Sequence, residues 1–397
     1  MSASRGKATA EPAGCGTGSR TAEYELKLVQ VAFRHGARTP LRSIPAVLEA
    51  QWGPELLRVP DHTQIDYVVK DLQGGPRPPA PIEENYRTST LSGGTYPGQL
   101  TTLGMQQLYD LGQRLRRNYI VEVPFLTAAF NSAEVYVRST NIVRTIESAK
   151  CLVAGLFQQK QEDTVPIFTT ETENEVLYPN YHKCNLLKIL IGQRWAESSQ
   201  LPDLIADLES IQRALGIPEG HRVDFILIRD DMVAREAHGL PCPEPLSSWK
   251  ATVEKRAVQM ICHIYGPSKR GHLQLSVGPF LHMLLTNIED RVQGVASSRS
   301  SKKLFLYSVH DTTLIPFLMA LGIFDKRWPP YAADITLELY QHRVTEETFI
   351  KVSYLGQDQL IPGCSDVYCP LEKFKEVLSA FTLTAECYQS LCSQDDL

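Results

Sequence analysis

No stretch of this 397-residue chain is apolar and unbroken for the length of a membrane crossing. The longest apolar zone, Leu304 to Phe324, is interrupted by His310, Asp311 and Pro316. An excess of positive charge is lacking too. Lys and Arg number 40 against 45 Asp and Glu, a formal net charge of −5, so no nucleic-acid partner is expected. Any affinity for phosphate must therefore be local. There is no Asn-x-Ser/Thr sequon, which disfavours a glycosylated secreted protein, and no Cys-x-x-Cys pair, which disfavours zinc. Internal repeats and coiled-coil heptads are also missing. The N-terminal segment lacks the apolar core of a secretory signal. Its Ser, Ala, Gly and Thr, with Arg5, Lys7 and Arg20 against Glu11 alone, fit a transit peptide or a disordered tail.

What is present is an ordinary globular composition, 43% hydrophobic and 21% charged, at a length for one large domain or two smaller ones. The 9 cysteines are expected mostly as free thiols, although Cys364 and Cys369, and Cys387 and Cys392, lie close enough in sequence to bridge.

Leu26 to Phe33 reads as a buried strand and is followed by a Pro/Gly-rich stretch from Pro40 to Gly98. In that stretch Trp52, Leu56, Leu57, Ile65 and Tyr67 suit a core better than a lipid pocket. Thr101 or Thr102 caps a helix running to about Tyr119, with Leu108, Leu111 and Leu115 on its apolar stripe. Glu134 to Val137 is a short strand ending at Arg138, and a core helix follows from Ile142 to Leu156. From 161 to 270 helical segments dominate, and only Phe225 to Ile228 resembles a strand. Leu273 to Ile288 is a helix, Lys303 to Val309 a strand, and Thr312 and Thr313 open another helix. Asp334 to Tyr340 and Thr348 to Tyr354 pair at one edge. This order predicts an α/β fold, a parallel-type sheet flanked by helices. Its divisions are a tail over 1–25, a core over 26–160 and 271–397, and a mainly helical cap insertion over 161–270.

In such sheets ligands bind beyond the carboxyl ends of the strands. Three predicted strands end in Arg34-His35, Arg138 and His310-Asp311. The first belongs to the run Arg34-His35-Gly36-Ala37-Arg38-Thr39-Pro40. Two arginines beside a histidine repel its protonated form and keep it neutral, and their planar forks suit phosphate oxygens. His35 is then a nucleophile toward phosphorus, with Arg34, Arg38 and Arg138 neutralising the non-bridging oxygens. His310 can donate a hydrogen bond to phosphate, and Asp311 can protonate the leaving oxygen. No metal or cofactor is needed. Taken singly, each residue has a plainer role: Arg138 as an ion-pair partner of an acid such as Glu147, His310-Asp311 as a helix cap. An unprotonated His35 beside a protonated Asp311 favours activity below neutrality.

These residues resemble the histidine acid phosphatases, a branch of the histidine phosphatase superfamily. The resemblance rests on Arg34 to Pro40, on Arg138-Ser139-Thr140 and on His310-Asp311. It implies a phosphoglycerate-mutase-like α/β core with a helical cap, a phosphohistidine at His35 and proton donation by Asp311. Longer stretches, among them Leu177 to Tyr181, Val277 to His282 and Trp328-Pro329-Pro330, resemble family members acting on lysophosphatidic acid. The implied partner is a small phosphomonoester, a lysophospholipid, handled by a monomer in the mitochondrion or, failing that, the cytoplasm. Other readings are a phytase-like or aryl-phosphate hydrolase and a non-catalytic phosphate- or lipid-binding module.

Overall fold

The computed structural model describes residues 23–158, 164–218, 220–221, 223–266, 270–295 and 301–393. The predicted tail lies outside these residues, except for 23–25. The strands are β1 (Tyr24–Arg34), β2 (Tyr67–Lys70), β3 (Val135–Ser139), β4 (Val165–Phe168), β5 (Leu304–Val309), β6 (Asp334–His342), β7 (Thr348–Tyr354), β8 (Gln357–Gln359) and β9 (Tyr368–Pro370). The helices are α1 (Pro81–Tyr86), α2 (Thr102–Arg116), α3 (Val143–Phe157), α4 (Asn185–Ser198), α5 (Pro202–Leu215), α6 (Phe225–Ala237), α7 (Glu244–Ser247), α8 (Lys250–Tyr265), α9 (Arg270–Gln293), α10 (Asp311–Ala320), α11 (Leu371–Ser379) and α12 (Ala385–Cys392).

β1 is buried on both faces, so its sequence runs apolar rather than alternating. Val29, Val31 and Phe33 join a core with Leu108 and Leu111 of α2 and Ile146 and Leu152 of α3. Leu28 and Ala32 face the other way, into a core with Phe280 and Leu281 of α9 and Leu314 of α10. Gln30, also on that side, is satisfied by donating to the Leu284 carbonyl at 2.9 Å.

The strand order is β2-β4-β3-β5-β1-β6-β7-β8, with β9 beside β7. The sheet is mixed, not the parallel-type sheet predicted. β2, β4, β3, β5 and β1 run parallel, whereas β6 and β7 are antiparallel to their neighbours. The reason lies in the segment after α10. It returns the chain to the carboxyl end of β1, where the Arg34 amide donates to the Ala333 carbonyl at 2.8 Å and Phe33 stands opposite Asp334. β6 must then run back against β1. That return also carries Trp328 and Tyr331 over the strand ends.

Two further predictions need correction. β4 belongs to the sheet, so the boundary set at 161 falls before a core strand, and the helical run begins at Asn185. Phe225 to Ile228 is the first turn of α6, not a strand; Asp224 caps it by accepting from the Leu227 amide at 2.8 Å. The Pro40–Gly98 excursion closes on itself, with the Thr39 amide donating to Gln99 and the Gly98 amide to Pro40. Trp52 is fully buried against Leu91 and Ala234, while Ile65 and Tyr67 pack on the core beside α2 and α3.

Half of the described cysteines are bridged, against the expectation of mostly free thiols. Cys364 pairs with Cys369. Cys392 pairs with Cys184 rather than with Cys387, which is free. The Cys184–Cys392 bridge ties α12 to the start of α4. Among the described residues, no helix is long and apolar enough to cross a membrane, and no cluster of His, Cys, Asp and Glu could hold a metal.

Candidate active site

The turn after β1 is set by a close backbone approach. A Cβ on Gly36 would meet the Gly104 carbonyl oxygen at 2.2 Å, and one on Gly104 would meet the Ala37 carbonyl oxygen at 2.1 Å. Only glycine at both positions lets the loop lie on the first turn of α2. Thr101 locks this contact, donating to the Ala37 carbonyl at 3.1 Å.

His35 is buried beneath this turn. Its Nδ1 lies 2.9 Å from the Gly36 carbonyl, an oxygen that can only accept. Nδ1 therefore carries the proton and Nε2 keeps its lone pair. Burial, followed by the charges of Arg144, Arg38, Arg34 and His310, holds His35 well below the usual histidine range. The ring is neutral even in mild acid.

His310 stands 5.6 Å from His35, ring centre to ring centre, with the planes at 66°. Its Nε2 is 3.0 Å from Thr140 Oγ1. Thr145 Oγ1 donates to backbone carbonyls and so accepts from Thr140, 2.7 Å away. Thr140 must then accept from His310, which places the ring proton on Nε2 and leaves Nδ1 bare. Burial, then Arg144, pushes His310 well below its ordinary value. The donation to phosphate expected of it thus requires the imidazolium, which a bound dianion would favour.

Asp311 opens α10. Its Oδ2 accepts from Arg34 Nη2 at 2.7 Å and from Trp328 Nε1 at 3.0 Å. Burial alone would raise its pKa. The charge of Arg34, the Trp328 hydrogen bond and the charges of Arg38 and His310 overcome that and hold the carboxyl well below the usual range. Without a bound phosphate it is ionised, not protonated.

Arg34 also donates to the Pro329 carbonyl at 2.7 Å and stacks on the Tyr331 ring at 4.5 Å. Arg38 pairs with Asp230 of α6 at 2.8 Å. The predicted third clamp, Arg138, is not at this site. Adjacent side chains on a strand point to opposite faces, and Arg138 turns toward α9, 3.2 Å from Met283 Sδ, and pairs with buried Glu175 at 2.9 Å. Its partner is not Glu147, which accepts from the Tyr67 hydroxyl at 2.6 Å.

Arg144 stands where Arg138 was expected. It comes from the first turn of α3 and lines the same cavity as His35, Arg38, His310 and Asp311. Its Nε and Nη1 are buried without a hydrogen-bond partner, as are the Nε atoms of Arg34 and Arg38. Buried guanidinium N–H groups left open around a neutral histidine form a site for an anion. Arg144 lies in a helix that otherwise reads as core, and of its two cations only Lys150 has an acid of that helix, Glu147, as its partner. Asp230 leaves no sequence signal, and Trp328 enters only through the stretch Trp328-Pro329-Pro330, with no role attached to it.

A second cavity, of about 1080 Å³, begins at Arg34, Arg38 and Asp311 and runs between α4, α5, α6 and α8. Its walls include Trp195, Leu208, Ile226, Leu227 and Ile261.

Residues 25–206 and 247–355 match the family described as histidine phosphatase superfamily, branch 2. The chain is 46% identical over 372 residues to lysophosphatidic acid phosphatase type 6 of Bos taurus, an alignment covering 93% of this chain and 86% of the relative. To the Homo sapiens protein of that name it is 45% identical over 370 residues, with the same shares covered. Among solved structures it resembles Hafnia alvei phytase in complex with myo-inositol hexakis sulphate. The TM-score is 0.61 at 16% identity, covering 91% of this chain and 98% of the phytase.

Proposed function

As a member of branch 2 of the histidine phosphatase superfamily this chain is a phosphomonoester hydrolase, and we propose that it hydrolyses lysophosphatidic acid to monoacylglycerol and phosphate through a phosphohistidine at His35. In this reading the phosphate lies among Arg34, Arg38 and Arg144. His35 Nε2 attacks phosphorus, the bond to the glycerol oxygen breaks, and the proton of Asp311 goes to that oxygen. Water then attacks phosphorus, gives its proton to Asp311, and the P–N bond breaks to free His35 and inorganic phosphate. Arg138 has no part in these steps.

The substrate arms its own acid. A phosphate that draws Arg34 away removes the strongest charge holding Asp311 ionised and brings a negative neighbour instead. Both changes raise the pKa of Asp311. The active complex needs Asp311 protonated and His35 neutral. His35 stays neutral far into acid because its pKa is depressed, so the upper limit is set by Asp311. Hydrolysis of alkyl esters should fall as pH rises through neutrality; a rate climbing steadily into alkali would contradict the assignment.

The apolar cavity that starts at the phosphate-binding arginines carries the choice of substrate. A phosphate at one end and room for an acyl chain at the other match a lysophosphatidic acid. Helices α4 to α8 act in this reading as a cap whose underside is the acyl wall. The relatives named lysophosphatidic acid phosphatase type 6 support it. The test is kcat/KM for lysophosphatidic acids of graded chain length against glycerol 3-phosphate, inositol phosphates and an aryl phosphate. Acylated substrates should be preferred over glycerol 3-phosphate by one to several orders of magnitude, since each buried methylene contributes roughly 0.8 kcal/mol. Equal rates on both would leave a phosphatase for soluble substrates.

A further inference from the structure

Trp328 stands between Asp311 and the helical wall. Its Nε1–H donates to Asp311 Oδ2, the oxygen that also takes Arg34, whereas Asp311 Oδ1 accepts the amide of Thr312 at 2.8 Å. The two carboxyl oxygens are therefore unlike. Oδ2 faces two side-chain donors, one of them charged, and a proton settles on the oxygen facing the weaker donor. The indole is held from its other side: the Arg229 guanidinium of α6 lies 4.6 Å from the ring centre, and Arg229 Nε pairs with Glu254 of α8 at 2.6 Å. Trp328 is buried and separates the acyl cavity from another, of about 740 Å³, on its far side.

We propose that Trp328 is a positioning residue for the proton donor: its indole N–H, stacked in place by Arg229, keeps Oδ2 as an acceptor and presents Oδ1 to the leaving oxygen. The proposal rests on the reading of Asp311 as proton donor. When a phosphate draws Arg34 away, Trp328 is the donor left on Oδ2. Without that N–H the proton would move to Oδ2, since Oδ1 keeps the Thr312 amide, and the armed acid would lose it at higher pH. Other charged or titratable groups face Asp311 too. They are Arg34 of β1, Arg38 of the following loop, His310 beside it, Tyr331 of the returning segment and Tyr265 of α8. All of them remain in a Trp328→Phe variant, which removes the N–H and keeps an aromatic surface for Arg229.

The measurement is the pH profile of kcat on lysophosphatidic acid and on an activated aryl phosphate. Losing a hydrogen bond to the carboxylate raises the pKa of Asp311, and the protonated form is the active one. The alkaline limb of Trp328→Phe should therefore move upward by about one pH unit on the lipid, with KM little changed. Arg229→Lys keeps the charge and the ion pair but loses the flat stacking surface, and should move the limb the same way by less. A limb fixed at its original position in both variants, with kcat lowered equally at every pH, would overturn the proposal. If Trp328→Phe does not accumulate as folded protein, the limb of Arg229→Lys decides alone. Asp311→Asn separates this outcome from failure of the underlying reading. Equal losses on lipid and aryl ester in that variant would remove Asp311 as proton donor, whatever Trp328 does.

Discussion

The phosphate end of the site is made of strand ends and helix N-termini, while the cavity beside it is made of the flanks of four helices. At the first, every group has a direction. His35 is aimed by the Gly36 carbonyl, His310 by Thr140, and Asp311 by Arg34 and Trp328. At the second, shape and apolar area matter and direction does not. The two ends also differ in their relation to the family. His35, Arg144 and Asp311 lie in the matched stretches, whereas residues 207–246, which hold α6 with Arg229 and Asp230, lie between them. The candidate catalytic residues thus fall in the stretches that match the family, and part of the cavity wall falls between them. Asp230 joins the two by pinning Arg38 from α6.

Substitutions can break this division. His35→Ala should lower kcat on every substrate by about 10⁴-fold or more, the scale of losing a nucleophile; retained turnover would end the covalent mechanism. Arg144→Ala should cost about 10²–10³ in kcat/KM, again on every substrate, as for loss of a preorganised donor to developing charge. Arg138→Ala should behave differently. It strands Glu175 as a buried, unpaired acid, so it should destabilise the fold by about 3 kcal/mol, read in denaturant, with smaller rate losses in the protein that remains folded. Equal rate losses in the two arginine variants would put Arg138 back in the phosphate site. Trp195→Ala opens the cavity wall and should lower kcat/KM about tenfold for lysophosphatidic acid while leaving glycerol 3-phosphate unchanged. Losses on both substrates would mean the cavity shapes the phosphate end as well. The smallest effect on rate is expected from Cys392→Ser, which releases α12 from α4. It should lower the melting temperature, at a cost of about 2–4 kcal/mol, with kcat held.

Features set by local rules were legible in the sequence, and features set by the long return of the chain were not. Arg34, His35 and the His310-Asp311 pair stand out because they come at the ends of apolar strands, and Arg38 because it shares the run from Arg34 to Pro40. Arg138 does end a strand, but a strand end does not fix a direction, and alternation sends that side chain to the α9 face. Arg144 does not stand out because it sits in the first turn of a helix whose apolar stripe reads as core. Trp328 and Tyr331 reach the site only through the return that makes β6 antiparallel, and no local pattern announces that reversal. Cys184 and Cys392 are 208 residues apart, so proximity in sequence pointed to Cys387 instead. The cavity was invisible for a different reason: an apolar helix flank reads the same whether it meets core or open space.

The most direct measurement is rapid acid-free quenching of the enzyme during turnover of lysophosphatidic acid labelled in its phosphate, with the protein-bound label counted. Acid-labile, alkali-stable label is expected on the native enzyme, approaching one per chain when breakdown is the slower step, absent from His35→Ala and slow to form from glycerol 3-phosphate. Label that persists in His35→Ala, or that forms equally fast without the acyl chain, would contradict it.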